Sequence, residues 1–172
     1  ENLRKNIEIA IDTKDIEKAI SFVRDYRRFY PDQYSFDSDI ANKALGLLTK
    51  IPPENTYTWI EAFDLEKQTS EKVEDRQSKI ESIKNVLLNI NCKKKNIKEY
   101  LKRLDIDNAI KMQLAVGFVF EGLLEQKDDK KTESEKNISR KKLDLASEIC
   151  IMCNMDYEKL VEETKFMLKI KE

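Results

Sequence analysis

The chain has 172 residues, 40% of them hydrophobic and 38% charged, with 32 Lys and Arg set against 33 Asp and Glu and no histidine. That supplies a real core for one domain or two small helical lobes, and the near-balance of charge excludes a surface tuned as a whole for DNA or anionic membrane. The missing histidine removes the commonest general base and the commonest metal ligand, so composition points to binding rather than catalysis.

The first predicted elements occupy residues 3–30, with a break at Asp12 and Thr13, two good capping residues. Beyond it, Ile16, Ala19, Ile20, Val23 and Tyr30 share one helix face, which Phe22, Tyr26 and Phe29 widen to about half the circumference. A stripe so broad predicts two helical neighbours. Pro31, Asp32 and Gln33 end this helix, and Asp37 or Ser38 is placed to cap the next, whose core positions are Ile40, Ala41, Ala44, Leu45 and Leu48. Pro52 and Pro53 then force an extended corner.

Tyr57, Trp59, Ile60 and Phe63 make an aromatic-rich turn or short helix, followed by a charged stretch over 66–81. Val73, Ile80 and Leu87 are seven apart, as are Arg76, Ile83 and Ile90, which predicts a long helix packed along a seam. A break over 91–95 contains Lys93, Lys94 and Lys95, and a short helix over 97–104 follows. Residues 114–120 carry no polar side chain, so this segment is expected to be a central rod surrounded by other helices. Residues 125–137 contain no apolar side chain and read as a flexible loop or linker. Two closing helices hold Leu143, Leu145, Ala146 and Ile149, then Tyr157, Leu160, Val161, Met167 and Leu168.

None of the breaks uses an Asn-Gly, Asp-Gly or Gly-Gly turn, and Gly46, Gly117 and Gly122 fall inside helical runs. The expected fold class is therefore all-α, an irregular helical bundle or solenoid-like α-hairpin array of about seven or eight helices. The expected domains are a bundle over 1–124, a charged linker over 125–138 and a C-terminal hairpin over 139–172 that packs on the bundle.

Three helix openings share one phrase, beginning at Asp15, Asp105 and Asp156: an acid, an apolar residue, an acid, a polar residue, then small or apolar residues. The spacings do not fit one repeat length, and convergence on a good helix start explains the phrase more simply. The first copy, from Lys14 to the Pro31-Asp32 end, resembles the second helix of a tetratricopeptide-type repeat. Its preceding helix departs from the pattern at Ile7. The resemblance implies an α-hairpin array whose surface binds other macromolecules.

Cys92, Cys150 and Cys153 are expected to be free thiols, the last two packed in a helix core rather than forming a redox or zinc site. There is no phosphate-binding glycine loop, nucleophile elbow or metal-ligand spacing, so no enzyme activity, cofactor or metal is expected. Charges throughout the first twenty residues argue against a secretory leader, and the opening on Glu1 suits a processed product or excised fragment. No segment is long and apolar enough to span a bilayer. An intracellular setting, cytoplasmic or nuclear, is expected.

The expected role is a non-enzymatic protein–protein interaction module, an adaptor or scaffold subunit of a larger assembly. Its candidate contacts are Arg24, Arg27, Arg28, Tyr57, Trp59 and Phe63, since aromatics and arginine anchor binding surfaces. The alternative is a nucleic-acid-binding helical domain, with RNA the favoured ligand. It would use Lys93, Lys94, Lys95, Arg140, Lys141 and Lys142 in addition to the arginines.

Overall fold

The structure, a computed structural model, describes residues 2–29, 40–41, 43–68, 74–89, 94–104, 106, 108–127 and 130–171. Among them the regular structure is helical, with no strand. The chain forms two compact units, Glu1–Glu74 and Asp75–Glu172.

In the first unit, α1 (Asn2–Asp12), α2 (Ile16–Phe29) and α3 (Thr56–Gln68) pack in sequence, α2 touching both others as its wide apolar stripe predicts. Ile7 and Ala10 of α1 and Ala19, Ile20, Val23 and Tyr26 of α2 are buried. Asp12 ends α1, but the cap of α2 is Asp15. Its carboxylate accepts the Lys18 backbone N–H, while the Thr13 hydroxyl donates back to the Ile9 carbonyl. Lys14 takes the left-handed conformation that lets the chain turn within three residues. Ile40, Ala41, Ala44 and Leu45 are buried helical positions, and a short 3-10 turn, Leu48–Lys50, leads to the proline corner. There the Pro52 carbonyl accepts both the Asn55 backbone N–H and the Trp59 indole N–H. The break at Pro31–Gln33 and the caps expected at Asp37 or Ser38 lie outside the described residues.

The second unit contains α4 (Glu74–Asn89, its first residue apart), α5 (Lys94–Arg103), α6 (Asn108–Gln126), α7 (Glu133–Cys153) and α8 (Tyr157–Lys171). The rod is α6. Every residue from 112 to 120 is buried, and α6 runs along α7 in the most extensive packing of any described pair. At the crossing, the Ser139 hydroxyl donates to the Gly122 carbonyl. A methyl group on Gly122 would lie 2.9 Å from Leu143 Cγ and 3.2 Å from the Ser139 carbonyl oxygen. Ile80, Ile83 and Leu87 carry the predicted seam of α4; Val73 and Ile90 lie outside the described residues.

Two boundaries differ from the sequence expectation. The division between units falls after Glu74, not in the charged segment over 125–138. Of that segment, Glu125 and Gln126 end α6 and residues 133–138 open α7. The reason is local. Thr132 caps α7 by accepting the Glu135 backbone N–H, and Glu133 and Glu135 face the positive end of the helix dipole. Good caps and buried Ser139 start a helix that an apolar count cannot see.

Asn154, in the left-handed conformation, closes α7, and Asp156 opens α8 by accepting the Lys159 backbone N–H. Asp15 and Asp156 thus perform one task with one geometry, so their shared phrase is a helix-start signal; Asp105 lies outside the described residues.

Candidate functional site

The expected partner-binding residues do not form one exposed patch. Trp59 is fully buried, so it is a core residue rather than a surface anchor. Its indole nitrogen is satisfied by Pro52, as a buried tryptophan requires. Arg24 is turned inward, its Nη1 3.0 Å from Glu61 Oε2, with the side chains 14% and 11% exposed. This pair ties α2 to α3. Burial pushes the Glu61 carboxyl up to about 6, and nearby Asp25 and Glu17 add to the rise, against the pull of Arg24. Tyr57 and Phe63 are half-buried, and Arg28 is exposed. Arg27 lies on α2, but its side chain is outside the described residues.

The basic candidates divide more sharply. Lys142 is 12% exposed and contacts Glu125 Oε1 at 2.5 Å and Glu121 Oε2 at 3.6 Å. Lys141 donates to the Leu88 carbonyl near the C-terminal end of α4, where helical carbonyls lack intrahelical donors. Arg140 is exposed and bonds Asn137 and Glu133 on its own helix. Lys141 and Lys142 are thus committed to the fold, while Arg140 stays at the surface.

Residues absent from the expected set complete that arrangement. Lys84 of α4 is buried, 2.5 Å from Glu121 Oε1 and 3.2 Å from Glu81 Oε1, with its ammonium 5.9 Å from the Phe118 ring centroid. Glu81, Lys84, Glu121, Lys142 and Glu125 therefore alternate in sign across α4, α6 and α7. Glu121 Oε2 is buried without a hydrogen bond among the described residues; Lys142 faces it at ion-pair distance. The sequence carried a signal for this network. Lys84 stands in phase with Ile80 and Leu87, and Lys142 with Ser139, Ala146 and Ile149. A charged residue at a core position of a helix demands a partner.

Lys94 and Lys95 occupy the first turn of α5, while Lys93 lies outside the described residues. Further along α5, Lys98, Lys102 and Arg103 are exposed and make no ion pair among the described residues.

The thiols are poorly placed for chemistry. Cys150 and Cys153 are buried and unbridged; desolvation pushes them up to about 12 and about 11, far from the thiolate that nucleophilic or metal-binding work needs. Cys92 lies outside the described residues. Among the described residues, no group of three or more Cys, Asp or Glu is arranged to hold a metal ion, and no helix is long and apolar enough to cross a membrane. No protein-family model, curated protein or solved structure matches this chain.

Proposed function

We propose that this chain is a non-enzymatic protein–protein interaction module, an adaptor or scaffold subunit built from packed helices. The observation that supports the reading is the set of large apolar side chains left in water: Phe29 is 68% exposed, Ile151 63% and Phe166 58%. Keeping such groups hydrated forgoes about 25 cal/mol for each Å² of apolar surface, and aromatic side chains are frequent anchors of protein interfaces. The charges and thiols that chemistry would draw on are, by contrast, largely consumed within the two units.

Crosslinking followed by mass spectrometry of the protein captured from its native extract tests this. Crosslinked partner peptides should map beside Phe29 on α2 or beside Ile151 and Phe166 on α7 and α8. Phe29→Ser and Phe166→Ser should each weaken capture through their own face without altering the helical circular dichroism. A monomer that captures nothing, or one whose partners survive both substitutions, overturns the reading.

A further inference from the structure

We draw no further inference here: the strongest candidate, the exposed Ile151 near the C-terminal end of α7 with Asp144 and Glu148 on the same side of that helix, is an apolar position beside two acids, and nothing in the structure shows what covers it.

Discussion

Within residues 75–172, lysine is used in two opposite ways. On α7, Lys141 and Lys142 turn inward, one to a helix-end carbonyl and the other to two carboxylates. On α5, Lys98 and Lys102 face solvent without partners among the described residues. The basic residues of the two helices look alike as letters. What separates them is phase. Lys142 stands on the α7 stripe that carries Ser139, Ala146 and Ile149 into the core, whereas Lys98 and Lys102 lie beside, not on, the Ile97 and Leu101 stripe. A basic residue thus becomes a bolt or part of a solvated face according to where the helix turns it.

The largest expected difference tests that contrast directly. Lys142→Ala takes from Glu125 its cation at 2.5 Å and leaves Glu121 to Lys84 alone, and should cost roughly 3 kcal/mol in urea denaturation. Lys102→Ala should change stability by no more than about 0.5 kcal/mol. Equal costs at the two positions would erase the distinction.

The first unit offers the same device with arginine, and here acidity reports on it. Glu61 holds its proton up to about pH 6 in the folded chain, against 4.5 for an ordinary carboxyl. Between those values the folded state binds more protons than the unfolded one, so stability is greater below pH 4.5 and declines as pH rises to 6. The decline amounts to about 2 kcal/mol, at 1.36 kcal/mol per pKa unit. Subtracting the pH profile of Glu61→Gln from that of the unaltered protein should recover this slope. Superimposable profiles would mean that the desolvation of the carboxyl is offset in full, by water or by the Arg24 guanidinium.

The elements legible in the sequence were those whose signal is local or periodic. The rod over 114–120 was evident because no polar side chain interrupts it, and the helix starts at Asp15 and Asp156 because capping is a matter of a few residues. The opening of α7 was missed although Thr132 and Glu135 form a cap, because hydrophobic counting scores residues 125–137 as empty. The inward charges were missed for a different reason. Lys84, Glu121 and Lys142 sit at core phase on three separate helices, and only their convergence in space turns three apparent misfits into one network. Trp59 is misassigned by residue type alone, since tryptophan serves cores and interfaces alike; its full burial, with the indole N–H on the Pro52 carbonyl, makes it core. The end of the first unit at Glu74 has no composition shift to mark it, since charged residues continue on both sides.

The smallest effect concerns what brings the inward lysine within reach. Lys142 meets Glu121 and Glu125 because α6 and α7 cross closely beside Gly122, where the Ser139 hydroxyl bonds the Gly122 carbonyl. Gly122→Ala should gain about 1 kcal/mol of helix propensity. Against that gain, its methyl group would press Leu143 Cγ at 2.9 Å and the Ser139 carbonyl at 3.2 Å. The leucine can rotate, but the carbonyl belongs to the helix backbone and can retreat only if α7 moves. Overpacking of this kind costs about 1–3 kcal/mol, so the net change should be a loss of about 1 kcal/mol. Pairing Gly122→Ala with Lys142→Ala in a double-mutant cycle reads the coupling, because a helix pushed outward has already loosened the ion pairs. Additive losses would show that the glycine and the lysine hold α7 independently, and that the inward turn of Lys142 does not depend on the close crossing.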